Sequence, residues 1–212
     1  MRMLRARLAT EHLGPLLLQS VHLPGASLAQ QALNLDKLPE RCAVILEISM
    51  AELVRAVPLP PLLPTRQGSF PGALWPLRRG GAPKESASYQ KIQKTLGAWK
   101  QKIEAREGQL ILLYLPRPIE CDSKRLAGEM AILGLDSSQL QSTRAGRRLG
   151  DLCHELGIIY VDPTLLLRSS AKAKRPIFVD VEARPFEARY TERAEKLILG
   201  RLAHQGIRKL FR

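Results

Sequence analysis

The sequence predicts a three-layer α/β/α domain built on a mainly parallel sheet. Three observations carry this expectation. Four short runs rich in aliphatic and β-branched residues, 43–49, 110–115, 157–161 and 177–181, are continuously apolar rather than alternating, which is the pattern of strands covered on both faces. Helical periodicity fills the chain between the first three runs. A length of 212 residues, 45% hydrophobic and 25% charged, is enough for one domain with a real core. A single domain over 1–212 is expected, its strands linked by right-handed βαβ units.

Near the amino end, residues 18–23 form a weaker fifth strand candidate, and residues 5–13 suit an amphipathic helix with Leu4, Leu8 and His12 on one face. The clearest helix covers 86–106, where Tyr89, Ile92, Leu96, Trp99 and Ile103 recur every three or four residues and Gly108 follows as a stop. A second covers 139–156, with Ala145, Leu149, Leu152 and Leu156 on one side and Gly157 beyond its end. A closing helix begins after Thr191 as N-cap and turns Ala194, Leu197, Ile198 and Leu202 inward. Residues 57–85 are the exception. Pro58, Pro60, Pro61, Pro64, Pro71, Pro76 and Pro83 exclude a regular helix or central strand across this stretch. It is expected to be a loop insertion that tolerates shortening, serving either as a lid or as nothing more.

The net charge of +13 raises the possibility of a nucleic-acid partner. Along the chain, however, the basic groups (Arg78 and Arg79, Arg147 and Arg148, residues 172–175, residues 208–212) stand far apart, and aromatic residues are only 5% of the total. Solvated surface charge is therefore favoured over a nucleic-acid interface. Cys42, Cys121 and Cys153 are odd in number and lack paired short spacing, so they suggest neither a disulfide framework nor a zinc site. No glycine-rich phosphate loop or metal-ligand spacing of histidines occurs, and no cofactor or metal is expected. The apolar stretch after Arg2, Arg5 and Arg7 is broken by Glu11, His12 and Pro15. It is too short for a signal core or a membrane span, and a cytoplasmic location follows for a chain that starts at Met1.

Several segments, in order, resemble the GDSL/SGNH ester hydrolases. Val21-His22-Leu23-Pro24-Gly25-Ala26-Ser27 is similar to that family's second block, whose glycine N–H helps bind an oxyanion. Ala43-Val44-Ile45-Leu46-Glu47-Ile48-Ser49 is similar to the strand entering the third block. The run from Cys153 to Asp162 resembles the helix, strand and Asp ahead of the closing block. That closing block is matched by Arg189-Tyr190-Thr191-Glu192-Arg193-Ala194-Glu195-Lys196-Leu197-Ile198. The resemblance implies an SGNH/flavodoxin-like fold, with Gly25 on the oxyanion side.

The family's chemistry needs a serine nucleophile, a histidine base and an asparagine donor. Here Arg189 stands at the histidine position, Phe186 at the aspartate position and Ala51 at the asparagine position. Arginine stays protonated and cannot serve as a base near neutral pH. Placing the register at Arg184 and Pro185 supplies no histidine either. The resemblance thus implies a degenerate, catalytically inactive relative with a pocket for an acyl or glycan ligand lined by Gly25 and Arg189. Arg189 would grip a carboxylate or phosphate there with its planar fork, or else form only local contacts.

Gly25-Ala26-Ser27-Leu28 superficially resembles the first block, making Ser27 a weak nucleophile candidate, but the next strand comes too soon for a complete βα unit. The expected consequence is an N-terminally shortened chain whose first βα unit, and with it a central strand, is missing. Two alternatives stand beside this one: an active esterase or acyltransferase with displaced catalytic residues, and a basic nucleic-acid-binding protein. Loss of small-ester hydrolysis on Ser27→Ala would mark the former, and a steep salt dependence of binding the latter.

Overall fold

The computed structural model describes residues 12–13, 16–21, 40–50, 53–54, 62–65, 68–79, 83–181 and 184–206. Its main sheet runs β1 (His12–Leu13), β2 (Leu16–Val21), β3 (Cys42–Ser49), β6 (Gln109–Leu115) and β7 (Ile159–Val161), in that spatial order. The pairs β2–β3, β3–β6 and β6–β7 are parallel, and β1 is an antiparallel edge.

Continuous apolarity in β3 and β6 has a direct physical reading, because alternate side chains enter two different cores. Val44, Leu46 and Ile48 with Leu110, Leu112 and Tyr114 face one side; Ala43 and Ile45 with Ile111, Leu113 and Leu115 face the other. The first side is covered by α1 (Pro83–Glu104) through Ile92, Leu96 and Trp99, and by α4 (Arg144–Glu155) through Leu149 and Leu152. The second is covered by α5 (Thr164–Lys172) through Leu167 and by α6 (Glu192–Arg201) through Ala194 and Ile198. The domain is therefore α/β in three layers, as its sequence predicts.

The helix ends follow local chemistry. Pro83 opens α1 at its first position, where a missing N–H costs nothing. After α1, the Gly108 N–H bonds back to the Ile103 carbonyl at 2.9 Å. A Cβ on Gly108 would lie 2.7 Å from the Cys42 carbonyl oxygen, so only glycine lets the turn pass this close to β3. Gly157 ends α4 with φ of 64°, the left-handed conformation that glycine adopts freely. Thr191 caps α6, its Oγ1 accepting from the Ala194 N–H at 3.2 Å.

Within α6, Ile198 is fully buried and Leu197 only half-buried. Ile198→Ala is expected to cost about 2–5 kcal/mol in a denaturant titration, Leu197→Ala less, and Lys196→Ala almost nothing. Equal losses at the three positions would show that this helix does not pack on the sheet.

Three expectations are corrected. Residues 177–181 do not join the main sheet. Phe178–Val181 (β8) pairs antiparallel with Arg184–Tyr190 (β9) as a separate hairpin, and Val179 is 56% exposed. The strand expected at 18–23 is present as β2, parallel to β3 with Leu17 opposite Cys42 and Val21 opposite Leu46. The described end of the supposed helix 5–13, His12–Leu13, is a strand.

The Pro-rich segment is the third correction, since its described part is not a plain loop. It contains the hairpin β4 (Leu62–Thr65) and β5 (Gly68–Pro71) and a 3₁₀ turn at Gly72–Leu77. Phe70, Leu74, Trp75 and Leu77 from it are buried in the first core.

Two helices that apolar periodicity did not reveal follow β6: the short α2 (Pro118–Cys121) and α3 (Ser123–Ile132). Asp122 caps α3 by accepting from the Lys124 N–H at 2.8 Å.

Candidate functional site

In open α/β sheets, ligand sites gather beyond the carboxyl ends of the strands. Here β6 ends at Leu115 and is followed by Pro116, Arg117 and Pro118. Proline at the first position of α2 fixes the chain for a helical turn. That turn brings Glu120 back over the strand end, where one carboxylate oxygen accepts from the Arg117 N–H at 2.7 Å. The other accepts from the Tyr114 hydroxyl at 2.5 Å. Both side chains are wholly buried. Burial pushes the Glu120 carboxyl up from its ordinary 4.5 to about 7, against the lowering effect of the bonds from Tyr114 and Arg117. Burial and then the neighbouring Glu120 charge hold the Tyr114 phenol well above its usual range.

The network extends to α4 and α5. Arg168 Nε donates to the Glu120 carbonyl at 2.7 Å, and its Nη2 donates to Ser142 Oγ. At the end of β7, Asp162 Oδ1 accepts from the Thr164 N–H at 2.8 Å and also from the Thr164 hydroxyl. Tyr160 donates to the Gly146 carbonyl at 2.7 Å. A Cβ on Gly146 would stand 2.6 Å from Asp162 Oδ2 and 3.3 Å from the Tyr114 ring, so this glycine admits α4 against the site. Tyr190, at the end of β9, donates to the Pro116 carbonyl at 2.5 Å and ties the closing hairpin to the β6 end. Glu47 lies buried in β3. Burial, and after it the charges of Cys121, Glu120, Asp162 and Glu47, holds the Tyr190 phenol well above its usual range.

These groups interlock the strand ends. Glu120, its carboxyl pushed up to about 7 by burial, is fully buried. The residues predicted from sequence fare differently. Gly25 and Ser27 lie outside the described residues. The backbone of Arg189 lies in β9 opposite Val179 and next to Tyr190. Cys153 is buried, which pushes its thiol up to about 12, and the adjacent His154 is exposed. Among the described residues, no group of three or more His, Cys, Asp and Glu is arranged to hold a metal ion. No described helix is long and apolar enough to cross a membrane.

Sequence reasoning missed Tyr114, Glu120, Ser142 and Arg168. One signal was available, because Pro118 followed by Glu120 is a helix start with an acid at its third position.

A parallel sheet sandwiched between helices, with polar groups collected past its strand ends, places this protein in the class of three-layer α/β domains. No family model and no curated protein matches the chain. Among solved structures it is similar to a catalytic mutant of Axe2, an acetylxylan esterase from Geobacillus stearothermophilus. That match has 12% identity and a TM-score of 0.48, and covers 86% of this chain and 68% of the other. A second Axe2 mutant, described as an acetyl-xylooligosaccharide esterase, is similar at 14% identity and a TM-score of 0.46, with the same coverage.

Proposed function

We propose that this chain is an SGNH-hydrolase-like domain that does not catalyse ester hydrolysis. The observation that carries this reading is the closed network at the strand ends. Tyr114, Glu120, Arg168 and Ser142 use their polar atoms on one another and on the backbone, at the place where an α/β hydrolase handles its substrate. The substitutions at family positions support it too, with Arg189 in place of the base and Phe186 in place of its aspartate. In this reading Gly25 and Arg189 line a pocket for an acyl or glycan ligand, where the guanidinium holds a carboxylate or phosphate.

The base and the oxyanion donors are each worth roughly 10²-fold or more in rate, and losing both leaves little catalysis. Purified protein is therefore expected to hydrolyse p-nitrophenyl acetate no faster than a heat-treated control. A turnover near one per second, abolished by Ser27→Ala, would instead establish an esterase with displaced catalytic residues.

A further inference from the structure

Arginines far apart in the sequence converge on one face of the domain. Arg78 and Arg79 follow the 3₁₀ turn of the Pro-rich segment, and the Arg78 backbone bridges to Leu140 just ahead of α4. The Arg79 N–H bonds to the Gln139 carbonyl at 2.8 Å, and its Nε donates to the Leu140 carbonyl at 3.1 Å. Arg144, the first residue of α4, donates from Nη1 to the Arg78 carbonyl. Arg147 and Arg148 follow one turn along the same helix.

Two of these guanidinium groups lie on aromatic rings, Arg78 at 5.5 Å from the Phe70 centroid and Arg148 at 5.3 Å from that of Tyr89. Both rings are buried, so they serve as platforms under the arginines. Arg79, Arg147 and Arg148 are exposed. The described acidic groups on α4 and just ahead of it are Asp136, Asp151 and Glu155, the last accepting from Gln93 Nε2 at 2.8 Å. Asp136 Oδ1 accepts from the Ser138 N–H at 2.6 Å, and Asp151 approaches Arg148 only to 4.0 Å. Among the described residues of these elements, five arginines stand against three carboxylates and leave a net positive face, on a chain already at +13.

We propose that this face binds the phosphodiester backbone of a nucleic acid without reading its sequence. Every cation named is arginine, whose planar fork meets phosphate oxygens two at a time. Backbone bonds and ring stacking already hold several of the side chains, so less freedom is lost on binding. With Phe70 and Tyr89 buried, affinity comes from phosphate contacts and counterion release rather than base stacking.

The test uses the full chain and a fluorescein-labelled single-stranded RNA of about 20 nucleotides, followed by anisotropy between about 50 and 200 mM salt. The wild type is expected to bind and to weaken steeply with salt. Arg79→Ala with Arg147→Ala should weaken binding more than about tenfold and reduce the salt slope by about 1.4, the value for two lost single-strand contacts. Both positions are exposed, and unchanged thermal melts would confirm an intact fold. Arg193→Ala, exposed on α6 across the sheet, should leave affinity within about twofold. The proposal is overturned if the wild type fails to bind at the lowest salt. It is equally overturned if Arg193→Ala weakens binding as much as Arg147→Ala. Arginine-dependent binding to phosphatidylserine vesicles but not to RNA would overturn it in favour of a membrane surface.

Discussion

Replacing Trp75 with alanine is expected to destabilise the domain by about 3–5 kcal/mol, the usual cost of removing a buried aromatic side chain and leaving a cavity. Trp75 is 1% exposed and lies edge-on to Tyr89, ring centroids 5.1 Å apart at 75°. Phe70, Leu74 and Leu77 from the same segment enter the same core. Its indole N–H finds no acceptor among the described residues, so the loss is one of packing, and Trp75→Phe should recover much of it. The shift in denaturant midpoint at constant m-value measures this. Ala73→Ser, exposed in the same turn, should stay within about 0.5 kcal/mol. A loss below about 1 kcal/mol for Trp75→Ala would mean that the Pro-rich segment can be dispensed with after all.

Glu120→Gln is expected to remove a large part of the pH dependence of stability between about pH 4.5 and 7. The sign follows from the direction of the shift. The folded carboxyl titrates near 7 and the ordinary one at 4.5, so between these values the folded state binds more protons than the unfolded state. Stability due to this group is complete below pH 4.5 and is lost as pH rises through 7. A difference of this size corresponds to roughly 3 kcal/mol. Glutamine imitates the protonated acid in shape and neutrality, so Glu120→Gln should equal or exceed the wild type in stability at pH 8 and lose its advantage by pH 5. Urea titrations at the two values decide it. A variant less stable than the wild type at pH 8 and relatively better at pH 5 would reverse the assignment and show a charged Glu120 to be stabilising.

Some of this architecture was legible before folding, and for local reasons. Continuous apolar runs marked β3, β6 and β7 because a strand between two helical layers has no polar face. Periodicity marked α1 and α4, and Thr191 and Gly157 marked helix ends, because capping and left-handed φ depend on residues within a turn of one another. The run 177–181 was legible as a strand, but its partner was not. Hydrophobicity does not distinguish pairing with β7 from pairing with β9.

At the site, Gly25, Ser27 and Arg189 came from resemblance, whereas the structure brought together Tyr114, Glu120, Ser142 and Arg168, of which only the Pro118–Glu120 pattern was visible locally. Arg168 lies 48 residues from the Glu120 carbonyl it binds. No window of sequence contains that contact.

The sequence by itself determined an α/β chain of strong positive charge, with its strands, the helices of clear period and several of their ends in place. Only the tertiary structure decided that the proline-rich segment supplies Trp75 to the core, that two separated arginine groups form one face, and that buried polar groups close the strand ends. The physical reason is the same in each case. Propensity, period and capping act within a few residues, whereas burial and charge density depend on which distant segments the packed sheet brings together.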